Sequence, residues 1–176
     1  DDIKEHMLHF LENHDEQRIA SAYFAGNAEK AKPALAAGAL MSPGAYMVYA
    51  GQEIGEAGMD AEGFSGNDGR TTIFDYWNPA SLQKLTAPAF EKKLTPEEAA
   101  LYDYYQKILT LCNSRKAFEQ GGFFDLQYAN YGRDYGYNCD RQYSFLRHFG
   151  REVYLVAVNF DPASVQVGIK IPSHAF

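Results

Sequence analysis

Phe10-Leu-Glu-Asn-His-Asp-Glu-Gln-Arg18 is the stretch on which the reading of this sequence turns. Residues 7–12, Met-Leu-His-Phe-Leu-Glu, read as a short buried strand that stops abruptly in the polar cluster Asn13 to Arg18. Taken alone, Asn-His-Asp is a turn or a helix cap, because short polar side chains bond neighbouring backbone N–H groups. The residues around it point elsewhere. An alanine-rich stretch from about Ala28 to Met41 reads as a helix, with Pro33 either kinking it or marking its true first turn. Ala36, Ala37, Gly38 and Ala39 are small enough to let that helix lie close against a sheet. Ser42-Pro43-Gly44 stops it, and Ala45-Tyr-Met-Val-Tyr-Ala50 reads as a second buried strand ending at Gly51-Gln52-Glu53. Strand, polar loop, helix, strand is the βαβ unit of a parallel sheet.

Residues 51–94 read as a long irregular stretch rich in Gly, Asp and Asn, and a loop of that length in a compact domain is usually functional. Thr95-Pro96-Glu97-Glu98 then combines an N-cap Thr, Pro at N1 and Glu at N3, a capping box. Leu101, Tyr105, Ile108 and Cys112 come next at helical spacing, and Arg115 and Lys116 suit the negative end of the helix dipole. After Gly121-Gly122 the pattern becomes all-β. Residues 143–149 and 152–160 read as two strands joined by a two-residue turn, Gly150-Arg151. Val165, Val167, Ile169 and Ile171 alternate with polar residues and Gly, as in a strand with one wet face. The expected domains are therefore 1–117, α/β, and 118–176, all-β.

Composition narrows the partners. The 176 residues carry a formal charge of -7, which argues against nucleic acid or an anionic membrane surface, since both require a basic face. The longest apolar stretch, Ala34 to Met41, is too short to span a membrane. Tyr (13) and Phe (12) are plentiful enough that some rings can stack on sugars, although most fill cores and sheet faces. Cys112 and Cys139 have no nearby His at zinc spacing and form no Cys-x-x-Cys, so the expectation is two free thiols and no metal site.

The segment Phe10 to Arg18 resembles the fourth signature region of the α-amylase family, glycoside hydrolase family 13, at the end of the seventh barrel strand. Pro43-Gly-Ala-Tyr-Met-Val-Tyr-Ala-Gly-Gln-Glu-Ile-Gly55 resembles that family's eighth-strand signature, in matching order and spacing. The stretch Asp68-Gly-Arg70 to Trp77 is similar to the segment after the eighth strand in many members. The resemblance covers essentially the whole chain. It implies the last two βα units of a TIM (β/α)8 barrel followed by part of a β-sandwich, domain C, shortened at Pro172-Ser-His-Ala-Phe176. In such a barrel the site lies at the C-terminal ends of the strands.

The resemblance also implies roles. Retaining glycosidases pair a carboxylate nucleophile with a carboxylic acid around an oxocarbenium-like transition state. In this family those two follow strands four and five, upstream of Asp1. Asp15 matches the third carboxylate, which grips the sugar at the cleaved bond and stabilises the transition state, and His14 matches a partner of the same sugar. Asp68 and Arg70 can hold a sugar further along, or form a plain loop salt bridge. Asn13 shapes the turn, Glu12 is structural, Glu16 is a loop residue, Glu53 braces the loop after the second strand, and Arg18 is a helix-start or domain contact. The segment Tyr46 to Glu53 contains no Arg, so no chloride is expected. No cofactor is expected in this chain; the family's structural calcium belongs to domain B, outside these residues.

The implied substrate is an α-1,4-linked glucan, starch or maltodextrin. The rivals are a transglycosylase or branching enzyme on the same scaffold, and a non-catalytic sugar-binding or interaction protein with a dead barrel. Open barrel edges lead to an expectation of self-association. A polymeric substrate favours a secreted or cell-envelope setting over the cytoplasm.

Overall fold

The two short strands expected early in the chain lie side by side and parallel. The computed structural model describes residue 3 and residues 6–58, 68–74 and 79–175. In it β1 (His9–Phe10) pairs with β2 (Tyr46–Met47), His9 opposite Tyr46 and Phe10 opposite Met47. The first expected strand, 7–12, is not buried along its length: Met7, Leu8 and Phe10 are exposed. A two-stranded sheet gives each strand one neighbour, so outer edges and one face stay uncovered.

Between the strands, Asn27 accepts the Glu29 N–H and opens a 3-10 turn, Ala28–Lys30, which runs into α1 (Ala31–Met41). Pro33 falls in the first turn of α1, where a missing N–H costs nothing, so it marks the start and produces no kink. The small residues do what their size suggests. A Cβ on Gly38 would lie 3.1 Å from the Tyr46 ring, so the helix backbone rests directly against β2. One side of α1 packs Leu35 and Ala39 on Leu101 and Tyr105, with Leu11 and Val48 from the strand segments. The other packs Ala36, Ala37 and Leu40 on Phe118, Phe145, Val156 and Val158. A fully buried Leu such as Leu35 contributes about 1.5–3 kcal/mol. The helix thus belongs to two cores at once.

The described residues of the stretch 51–94 hold more regular structure than expected: a 3-10 turn at Gln52–Ile54, helix α2 (Ala80–Thr86) and a further 3-10 turn at Phe90–Lys93. Trp77 lies outside the described residues. Helix α3 (Pro96–Ser114) starts at the predicted capping box, both halves of which are made: Glu98 N–H to Thr95 Oγ1 at 3.2 Å and Thr95 N–H to Glu98 Oε2 at 2.8 Å. A short helix, α4 (Lys116–Glu119), comes directly after it.

Beyond it β3 (Gly122–Asp125), β4 (Gln142–Phe149) and β5 (Glu152–Asn159) form one antiparallel sheet in that order. Phe149 faces Glu152, which leaves Gly150-Arg151 as the two-residue turn, and Gly150 takes the positive φ of 59° that the turn requires. Among the described residues there is a single antiparallel sheet, its inner face covered by α1 and α4. One expectation is corrected here. The alternating segment 165–171 joins no ladder. Its backbone bonds to irregular neighbours instead: Gly168 N–H to Tyr135 O, and Lys170 N–H and C=O to the Asn130 amide. Val165 and Ile171 are themselves exposed, so the alternation here marks neither a ladder nor a fully covered face.

Arg147 on β4, which the sequence did not single out, ties the two parts together. It is wholly buried and donates to the carbonyls of Leu40, Phe118 and Gly121 at 3.1, 3.2 and 2.8 Å. Leu40 lies in the last turn of α1, where carbonyls lack helical partners and the dipole favours a cation. Cys112 and Cys139 are both free thiols; burial pushes the Cys112 thiol up.

Candidate active site

Immediately after β1 the chain turns on Asn13, whose Oδ1 accepts the N–H groups of Asp15 at 2.8 Å and Glu16 at 3.0 Å. Asn13 therefore makes the turn, which frees Asp15 from that task. The Asp15 side chain is 71% exposed and that of His14 45%, with His14 Nε2 3.6 Å from Asp15 Oδ2.

The base of the same loop is held from inside. Glu12 and Arg18 are buried and paired, Nη1 to Oε2 at 2.9 Å, and Glu12 Oε1 also accepts the Ile19 N–H at 2.7 Å. Burial pushes the Glu12 carboxyl up; the Arg18 hydrogen bond pulls it down without overcoming that. Arg18 is neither a helix start nor a contact with the C-terminal sheet. It reaches across to the end of the second strand segment and the loop beyond it, with Nη2 on Ala50 O and Nε on Thr71 Oγ1.

The loop carrying Asp68 and Arg70 lies against this one. Arg18 N–H donates to Gly69 O at 2.7 Å. Gly69 has φ +78°, and a Cβ there would sit 2.0 Å from Ser21 Oγ, so only glycine fits this crossing. Asp68 and Arg70 form an ion pair with each other, with Arg70 Nε on Asp68 Oδ2 at 2.8 Å and the Arg70 N–H on Oδ1 at 3.1 Å. The Arg70 hydrogen bond holds the Asp68 carboxyl below its ordinary range. Arg70 is raised in turn, first by Asp68, with the charges of Asp15 and Glu16 adding to it. Asp15, His14, Asp68 and Arg70 thus share one loop cluster at the C-terminal end of the parallel pair.

The brace expected of Glu53 is made by its neighbour. Gln52 is buried, donates to the Tyr105 hydroxyl at 2.9 Å and accepts the Tyr49 N–H at 3.3 Å, whereas Glu53 Oε2 is buried with no hydrogen-bond partner among the described residues. Sequence reasoning saw Glu12 as structural but missed its partner Arg18; the signal was an acid and a base bracketing the polar turn. Among the described residues no three His, Cys, Asp or Glu side chains gather where they could hold a metal ion.

The pattern of the alpha amylase catalytic domain matches residues 1–125. The chain belongs to the α-amylase family. Its fold is part of the α-amylase catalytic domain, of the TIM-barrel class, and the family is one of glycoside hydrolase-type enzymes. Among solved structures it is similar to a mutant isomaltulose synthase from Erwinia rhapontici NX5 in complex with sucrose (20% identity, TM-score 0.51, 87% of this chain and 34% of that one). It is similar also to trehalose-6-phosphate hydrolase TreA of Bacillus licheniformis (18%, 0.51, 87% and 34%). A third is the isomaltulose synthase SmuA of Protaminobacter rubrum (21%, 0.51, 88% and 34%). This α-amylase-family chain thus spans about a third of those structures, and at such identities the likeness concerns the fold alone. A search of the curated proteins gave no match.

Proposed function

We propose that β1 and β2 are the seventh and eighth strands of a (β/α)8 barrel, that residues 118–176 begin domain C, and that the whole enzyme hydrolyses α-1,4-glucosidic bonds in starch or maltodextrins with retention. The observation that carries this is the Asp15 carboxylate, held out toward solvent directly after a parallel strand by a turn that Asn13 makes for it. The nucleophile and the proton donor come from strands outside these residues, so the chain alone is without hydrolase activity.

In this reading Asp15 accepts hydrogen bonds from hydroxyls of the sugar at the cleaved bond, and His14 beside it donates to the same ring. Binding that strengthens as the ring distorts lowers the barrier and raises kcat, whereas uniform binding would only lower KM. Asp68 and Arg70, preorganised by their pairing, hold a sugar further along the glucan. The exposed carboxylates and guanidinium suit a polyhydroxyl ligand.

The test is Asp15→Asn in the full-length enzyme. Asn keeps the shape and removes the charge. Loss of a preorganised electrostatic group is expected to lower kcat by roughly 10²–10⁴-fold, with a much smaller change in KM. Stability should barely move, because Asn13 and not the Asp15 side chain bonds the turn. A variant retaining more than about a tenth of wild-type kcat on a maltooligosaccharide would remove Asp15 from the reaction. The structural neighbours include synthases as well as a hydrolase, so a transglycosylase on this scaffold is the second reading; the products formed from maltoheptaose separate them, glucose and maltose for hydrolysis, longer or branched glucans for transfer.

A further inference from the structure

Arg18 is 0% exposed, and its guanidinium reaches three separate segments. Nη1 donates to Glu12 Oε2 at 2.9 Å, Nη2 to Ala50 O at 2.7 Å, and Nε to Thr71 Oγ1 at 2.9 Å. The guanidinium also lies 4.2 Å from the centroid of the Tyr49 ring. Both candidate loops thus converge on Arg18, Gly69 O through the Arg18 main-chain N–H and Glu12, Ala50 and Thr71 through its side chain, while Glu12 Oε1 also takes the Ile19 N–H. Asp15 lies within a loop whose ends, 12 and 18–19, are clasped together. Arg70 sits between Gly69 and Thr71, each bonded to Arg18.

Stability does not account for this arrangement. Removing two charges from water offsets most of what their attraction returns, and apolar residues of similar volume often serve as well. What a planar, forked guanidinium supplies is fixed direction toward several acceptors at once. We infer that Arg18 is a positioning residue: clasped by Glu12, it sets Asp15 at a fixed distance and angle from the Asp68–Arg70 pair, so that a glucan gripped by one is presented correctly to the other. The inference rests on the reading of Asp15 as a substrate-gripping carboxylate. Arg18 itself touches no substrate.

The experiment uses the full-length enzyme with Arg18→Lys, Arg18→Ala, Thr71→Val, Asp15→Asn and, as a stability control, Arg147→Lys, which sits in the other core. Lys keeps the charge but cannot bond Glu12, Ala50 and Thr71 together. A misplacement on the order of 1 Å can lower a rate about 10²-fold. Arg18→Lys, assayed where circular dichroism shows it folded, is therefore expected to lose roughly 10–100-fold in kcat with KM within about threefold of wild type. Arg147→Lys should melt earlier yet keep wild-type kcat, and added guanidinium should restore part of the kcat of Arg18→Ala. Thr71→Val, which removes only the guanidinium's bond to the Arg70 segment and leaves Gly69 O and Thr71 O bonded, should raise KM a few-fold. Wild-type kcat in folded Arg18→Lys, with only a lower Tm, overturns the inference. If Arg18→Lys fails to fold, unchanged kcat and KM in Thr71→Val overturns it. An inactive Asp15→Asn beside a fully active Arg18→Lys sinks the positioning role alone, whereas an active Asp15→Asn sinks the underlying reading and this inference with it.

Discussion

Arg147→Met tests how α1 is joined to the C-terminal sheet. The side chain is wholly buried and gives hydrogen bonds to the carbonyls of Leu40, Phe118 and Gly121, one each from α1, α4 and the start of the C-terminal sheet region. At about 1.5–3 kcal/mol for a hydrogen bond involving a charged group, three such bonds together amount to roughly 5–9 kcal/mol. Met fills similar volume and removes a buried cation, whose desolvation costs several kcal/mol, so part of that loss is returned. The net expectation is a destabilisation of about 3–5 kcal/mol, because three buried carbonyls lose their donor at about 1–3 kcal/mol each. For a chain of this size that lowers Tm by roughly 6–20 °C. Urea unfolding followed by far-UV circular dichroism measures it, with Arg147→Lys as a companion expected to lose less because one or two carbonyls keep a donor. A Met variant within about 1 kcal/mol of wild type, the scatter of ordinary substitutions, refutes the reasoning, because the three carbonyls would then be satisfied in some other way.

Gly69→Ala should be much worse than Gly26→Ala. Both glycines have positive φ, but a Cβ at Gly69 meets Ser21 Oγ at 2.0 Å whereas at Gly26 it meets open space. Gly26→Ala should cost only the left-handed backbone strain, about 1–2 kcal/mol, and urea unfolding showing the two variants equal would place the loop crossing elsewhere. Glu12→Gln should change the pH dependence of stability. Burial raises the folded-state pKa of Glu12 above its unfolded value, so the stability it contributes is present below the ordinary carboxylate range and lost as pH rises through the folded value. Unfolding free energies of wild type minus Glu12→Gln should therefore fall with rising pH across that window, and a rise refutes the assignment.

Local chemistry dictates the part of the fold that could be read from sequence. The capping box at Thr95, the Gly150-Arg151 turn and the apposition of Gly38 with the second strand each depend on residues close in sequence or on size alone, and all three are present. The Asn13 turn was legible for the same reason. The features that escaped depended on a distant partner. The segment 165–171 has a strand's alternation but no neighbour to pair with, and α2 lies in a stretch whose Gly and Asn content suggested only loop. Arg147 drew no reading in sequence and Arg18 only that of a helix start or domain contact; burial is decided by carbonyls as far away as Leu40, 107 residues from Arg147, and by Thr71, 53 from Arg18. In the candidate site, residue types announced the Asp15 loop, but nothing local announced that Asp68-Gly-Arg70 would lie across it.

Exposure at β1 has one geometric cause on both its sides. With β2 as its only neighbour among the described residues, β1 leaves Met7, Leu8 and Phe10 facing solvent, and the Asp15 carboxylate at its C-terminal end is equally open. In the barrel reading, the strands that would cover those apolar residues are the same ones that close the site around Asp15. Covering matters to chemistry as well as to packing, because a carboxylate–hydroxyl bond is worth far more in a dry cleft than on a wet surface. The two buried arginines divide the labour accordingly. Arg147 fixes α1 to the C-terminal sheet, and Arg18 fixes the two loops to each other, so the geometry of the cluster can be set before any wall is closed over it. In the barrel reading, closure then serves to exclude water around that cluster. The Asn13 turn thus places the Asp15 backbone while its carboxylate stays 71% exposed.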